Sequence, residues 1–130
     1  MSRNNKLLLA IGALIFFSIL FCLPGSSIPK DDWLDRIWAD KWVHIAIFTV
    51  LVFLWCRALE ITLFRVLVIV VIIAMLYGFF VEIIQDRFIP NRSFDYGDLV
   101  ADFIGSMAGV WLRKYIKKID PCRNRGRNQN

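Results

Sequence analysis

Cysteine and histidine are scarce: three cysteines and one histidine in 130 residues. Cys22, Cys56 and Cys122 are far apart and form no C-x-x-C pair, which excludes a disulfide framework and a thioredoxin-like motif. His44 stands alone, so a zinc site of the usual His/Cys kind is not expected, nor any other metal or cofactor. No serine lies in a nucleophile-elbow context, and the chain has no internal repeat and no low-complexity tract. Charge is also missing over long stretches. Residues 66–81 contain none, and Tyr77 carries the one polar group there.

Those uncharged stretches dominate a composition that is 58% hydrophobic, with a mean hydropathy of +0.55. Lipid offers a backbone no hydrogen-bond partner, so a long apolar run is stable there as a helix that satisfies itself. Residues 66–81 and 7–23 read as spanning helices. Residues 42–56 and 99–112 are shorter, but their tryptophans and cationic flanks suit short spans with snorkelling ends. The expectation is an all-α membrane protein of one domain, 1–130, built as an antiparallel bundle of four transmembrane helices at 7–23, 41–57, 64–85 and 98–116.

The formal charge of +5 is unevenly distributed. Eleven of the sixteen Lys and Arg lie at the N-terminus, in the second loop and in the tail, and five lie on the opposite side of four spans. By the positive-inside rule both termini are cytoplasmic. The basic tail, 117–130, reads as a topology anchor touching anionic lipid; with no nucleic-acid-binding motif beside it, a nucleic-acid partner is not expected. The N-terminus also has the basic start and apolar run of a secretory signal. Its length of about 17 residues and the lack of an A-x-A site favour an uncleaved first helix.

Between the first two apolar runs, Trp33, Leu34, Ile37 and Trp38 recur at helical spacing among Asp31, Asp32, Asp35 and Arg36. A short amphipathic helix in the outer interface, started by Pro29 and the early aspartates, is expected there; an irregular loop with aromatic anchors is the alternative.

Polar residues in the apolar segments fall into stripes. Asp98, Asp102, Gly105 and Gly109 step by four, three and four residues and share one helix face. The G-x-x-x-G within it lets another helix approach, so the two acids face protein and not lipid. Gly78, Glu82 and Gln85 repeat the arrangement on the third helix. Lys41 and His44 lie one turn apart on the second, directly after Asp40, while Arg92 and Asp95 come from the last loop. Each has a structural explanation: Asp40 and Asp98 as N-caps, Arg92 as the counter-ion of Asp95 or Asp98. Ionisable groups from three helices and a loop at one membrane depth nevertheless point to a functional site.

The segments "DKWVHIAIF", "EIIQ" and "PNRSFDYGDLVADFIGSMAG" resemble the VanZ-like family, over roughly residues 36–112. Asp40, Lys41 and His44 match a D-K-x-x-H motif, Glu82 and Gln85 match E-x-x-Q, and Arg92, Asp98, Gly105 and Gly109 match R…D…G…G. The resemblance implies a small polytopic protein of the bacterial cytoplasmic membrane, connected with the cell envelope and with resistance to teicoplanin. The family usually has Tyr at the position of Phe48 and Asn at that of Asp102, which alters hydrogen bonding inside the site. Asp102 is expected to hydrogen-bond as a neutral acid to His44, Gln85 or a backbone carbonyl.

Three functions follow. In the first, Asp40, Lys41, His44, Glu82, Gln85, Arg92, Asp95, Asp98 and Asp102 bind the polar head of an amphiphile: a lipid-linked envelope precursor, a phospholipid or a lipoglycopeptide. The second is a membrane enzyme acting on such a ligand through His44 with Glu82 or Asp98, ranked lower because no nucleophile is evident. The third is a small proton-coupled transporter.

Overall fold

Ser2 opens the first helix. Its hydroxyl accepts the N–H of Asn5 at 3.3 Å and satisfies one of the donors a helix start leaves without a partner. The computed structural model describes residues 1–24 and 33–119, and for 33–38 the backbone alone. Four helices follow one another: α1 (Arg3–Phe21), α2 (Trp33–Ala58), α3 (Phe64–Phe88) and α4 (Tyr96–Ile119). Among the described residues there is no strand. At 1.5 Å per residue the helices are about 28–39 Å long, enough for a hydrocarbon layer of about 30 Å. In α1, in α3 and from Ala39 to Ala58 in α2 they are also apolar enough to cross one.

Direction alternates along the chain. Lys6, near the start of α1, pairs with Glu60 after the end of α2 at 3.1 Å. Phe21, the last residue of α1, lies against His44 in the first half of α2. The α2–α3 turn is closed by Ile61 N–H donating to the Cys56 carbonyl at 3.1 Å, with Glu60 in the left-handed region at φ 53°. The α3–α4 connection turns at Asn91, φ 61°, a conformation asparagine tolerates better than most residues. It is then held by the Phe94 N–H on Asp86 Oδ1 and the Asp95 N–H on Glu82 Oε2, each 3.1 Å.

Packing is centred on α2. Its most extensive partner is α4, because Gly105 and Gly109 present bare backbone to it. A Cβ at Gly105 would lie 2.5 Å from the Ile45 carbonyl oxygen, and one at Gly109 2.7 Å from that of Thr49. Thr49 Oγ1 uses the approach to donate to the Gly105 carbonyl at 3.1 Å. Phe21, Ile47, Phe48, Leu51 and Val81 fill one half of the core, and Val52, Cys56, Leu67 and Val110 the other.

The distribution of polarity is the reverse of a water-soluble domain. His44, Glu82, Gln85, Asp98 and Asp102 are buried, while Ile15, Phe16, Ile72, Phe80, Val100, Phe103 and Trp111 are exposed. Buried acids and an exposed apolar belt are what a bilayer selects.

Two expectations are corrected. The separate interfacial helix is absent as such: helix begins at Trp33 and runs unbroken into α2. No Gly or Pro between Trp33 and Lys41 would stop it. Pro29, Asp31 and Asp32 lie outside the described residues, as do the side chains of Trp33 and Trp38. For the same reason Asp40 is no N-cap, since α2 is already seven residues old there. Nor is Asp98: the residue before α4 is Asp95, whose Oδ1 accepts the Gly97 N–H at 2.6 Å. The tail expected at 117–130 is helical to Ile119, and the remainder, with Cys122, lies outside the described residues.

Candidate functional site at the α2–α3–α4 end

The polar residues meet where the first turns of α4 lie between the early part of α2 and the end of α3. Lys41 is the hub on the exposed side. Its Nζ donates to Asp95 Oδ2 at 2.8 Å and Asp98 Oδ1 at 3.2 Å. Gly97 makes room for it, since a Cβ there would collide with the ammonium group. Asp95 therefore caps α4 with one oxygen and binds Lys41 with the other. The hydrogen bond from Lys41, reinforced by the Gly97 N–H, holds the Asp95 carboxyl below the usual carboxylate range.

One turn deeper, His44 Nδ1 and Asp102 Oδ1 share a hydrogen bond of 2.8 Å. Of the three partners expected for Asp102, the histidine is the one it has. Its other oxygen, Oδ2, has no hydrogen-bond partner among the described residues and lies against Gly78, where a Cβ would collide with it. The stripes of α3 and α4 thus meet, glycine against aspartate. Glu82 uses Oε2 for the Asp95 N–H, while its Oε1 is buried without a hydrogen-bond partner among the described residues. On the outer side of the histidine, Nε2 is buried and likewise has no hydrogen-bond partner among the described residues, 3.8 Å from Asp98 Oδ2. Asp40, half-buried, faces the same place: one ligating atom from each of Asp40, His44 and Asp98 lies within 4.8 Å of the others.

Two expected members stand apart. Gln85 turns toward α1 and donates to the Phe21 carbonyl at 3.0 Å, tying the open end of α1 to α3. Arg92 is half-buried and forms no ion pair among the described residues; Lys41 takes the acids for which Arg92 was the expected counter-ion.

Below the cluster, α1, α2 and α3 border a half-open cavity of about 330 Å³. Its walls, from Leu14, Phe48, Leu51, Trp55, Ile73, Ala74 and Tyr77 among others, are almost wholly apolar. Sequence reading missed it, because a void between helices leaves no mark on periodicity. Phe48 divides it from the polar cluster. The ring tip, Cζ, would be 3.1 Å from a Cβ at Gly78, at the point Asp102 Oδ2 also borders. Tyr77, in the cavity wall, bonds Ser18 of α1 at 2.8 Å through its hydroxyl.

A family model described as VanZ/LLP1 matches residues 6–117. The chain belongs to the VanZ/LLP1 family. The match takes in all four helices and the cluster they bring together, and with three helices apolar enough to span a bilayer it makes this a membrane protein of the VanZ family. Comparison with curated proteins and with solved structures gives no match.

Proposed function

We propose that this VanZ-family protein binds an amphiphile, its polar head at the Lys41–Glu82–Asp98 cluster and its apolar tail in the cavity beneath. The carrying observation is the adjacency of the two, with Phe48 the wall between them. A purely structural polar cluster needs no apolar cavity of 330 Å³ beside it. Lys41 and, from the α3–α4 loop, Arg92 suit phosphate or carboxylate, and Glu82 Oε1, without a hydrogen-bond partner among the described residues, suits a hydroxyl or amide donor of sugar or peptide. Lipid-linked envelope precursors, phospholipids and lipoglycopeptides share that chemistry, which connects the reading with envelope protection and glycopeptide resistance.

In this reading the protein has four spans in the bacterial cytoplasmic membrane, with both termini cytoplasmic and the cluster facing outward. The acids lowering the hydropathy of α4 point inward, while Val100, Phe103, Ile104, Met107 and Trp111 point out, which supports α4 as the fourth span. Lys6, Arg113, Lys114, Lys117 and Lys118 gather at the bundle end away from the cluster, which supports the orientation.

The test is saturable binding of lipid-linked precursor, phospholipid and lipoglycopeptide to the protein in nanodiscs. Glu82→Gln and Arg92→Lys should weaken binding through the head, and Ala74→Phe through the cavity, with membrane levels normal. Lys keeps the charge of Arg92 and loses its planar fork. Equal loss of folded protein in all three would return the cluster to a structural role. Turnover would favour an enzyme using the His44–Asp102 pair, and proton-driven flux a transporter.

A further inference from the structure

His44 carries a ring nitrogen that the amphiphile reading does not use. Its Nδ1 is engaged by Asp102, while Nε2 is buried, has no hydrogen-bond partner among the described residues and is directed at Asp98. The Nε2–Oδ2 separation of 3.8 Å is too long for a hydrogen bond. It is the spacing of two ligands on one ion, since atoms about 2.0–2.2 Å from a shared metal lie roughly 3–4 Å apart. Asp40 completes a set of three within 4.8 Å.

We propose that Asp40, His44 and Asp98 hold a divalent transition-metal ion. One imidazole and two carboxylates suit Zn²⁺ or Mn²⁺ better than a soft ion, which would select thiolate. The surroundings fit in three respects. Asp98 commits its two oxygens separately, Oδ1 to Lys41 and Oδ2 to the ion, so the lysine fixes the carboxylate without blocking it. Asp102 stands behind His44 as carboxylates do behind metal-binding histidines: it accepts from Nδ1–H and leaves the Nε2 lone pair facing the ion. Loading the site thus makes Asp102 the acceptor in its bond with His44. Finally, five carboxyl groups converge here, from Asp40, Glu82, Asp95, Asp98 and Asp102, and the ammonium of Lys41 is the one Lys or Arg charge among the described residues paired with any of them. A dication offsets that excess. Half-buried Asp40 gives the ion a route in, and three protein ligands leave positions for water or for an oxygen of a bound head.

A single histidine leaves no metal motif in the sequence, because the proposed ligands are split between two helices and two of the three are carboxylates. The inference stands without the amphiphile reading, since it concerns the ion alone.

The full chain, purified in detergent and stripped with chelator, is titrated with Mn²⁺, followed by loss of the free-ion paramagnetic resonance signal, and with Zn²⁺ in competition. One ion per chain should bind, raising the melting temperature. Asp40→Asn, at a half-buried position that need not disturb folding, should weaken binding at least tenfold, and His44→Gln should abolish it. Asp102→Asn should weaken it about 10–100-fold while leaving the metal-free melting temperature unchanged. Asp86→Asn, outside the set, should bind as wild type. Failure of both ions to bind, or binding indifferent to Asp40→Asn, overturns the proposal.

Discussion

His44 and Asp102 are joined by a 2.8 Å hydrogen bond across α2 and α4, and each side chain is about 1% exposed. The bond gives a deep acid a partner and places it where lipid cannot reach. Asparagine can fill the same role, as its side-chain oxygen accepts from Nδ1–H. Metal-free Asp102→Asn should therefore keep membrane levels and its melting temperature in detergent. Asp102→Leu leaves Nδ1 buried without a partner, at a cost of about 1–3 kcal/mol. A large destabilisation by Asn would mean that the charge itself holds the helices together.

The close approach of α2 and α4 sets up a contrast between glycines. Gly105→Ala drives a methyl toward the Ile45 carbonyl, backbone that cannot swing away, and should cost about 1–3 kcal/mol as overpacking does. Gly12 on α1 has nothing within 4 Å of its would-be Cβ. Gly12→Ala should be neutral or stabilise by up to about 1 kcal/mol through helix propensity. Thermal unfolding in detergent measures both, and equal effects would refute the α2–α4 contact.

Much of this was legible in the sequence, for a physical reason. Apolar runs without charge reveal helices that need no tertiary information, and Asp98, Asp102, Gly105 and Gly109 reveal a face because helical geometry is fixed. What was not legible is decided by packing. Nothing local says that the helical turns at Trp33 continue into α2, or that Gln85 leaves the acids for the Phe21 carbonyl. The choice of Lys41 over Arg92 as counter-ion depends on the space at Gly97, visible only once α2 and α4 lie side by side. Asp95 as the cap had a local signal, an aspartate directly before the helix, but the neighbouring Asp98 competed for that reading.

Asp95 provides a pH dependence. Lys41 holds its folded-state pKa down, so the associated stability is fully present above the unfolded value of about 3.9 and is lost as pH falls through the lower folded value. The side chain is 48% exposed, so solvent screening keeps the effect small. The gap in melting temperature between wild type and Asp95→Asn should be constant above about pH 5 and close below about pH 4. Asparagine keeps the α4 cap, so a gap that acid does not narrow would mean that the Lys41 ion pair is not its source.

Orientation is checked with single cysteines in a background lacking Cys22, Cys56 and Cys122. Residue 93, in the α3–α4 loop, should react from outside the cell, and residue 128, in the tail, only after permeabilisation. Reaction of both from one side would remove a span and with it the outward placement of the cluster.

Phe48 offers a final test. Its ring is buried, and Cζ borders the same point beside Gly78 as Asp102 Oδ2, the carboxylate oxygen without a hydrogen-bond partner among the described residues. A hydroxyl on that carbon would extend toward the oxygen and supply the missing donor. Phe48→Tyr should therefore fold at normal levels even though it adds a polar group to a buried position. The same substitution with Leu at 102 has no acceptor to reach and leaves the hydroxyl stranded. A double-mutant cycle on thermal stability should give a coupling of about 1 kcal/mol or more in favour of the Tyr–Asp pair. Coupling near zero would mean that the hydroxyl points into the cavity, and Phe48 would then be a wall of the tail site alone.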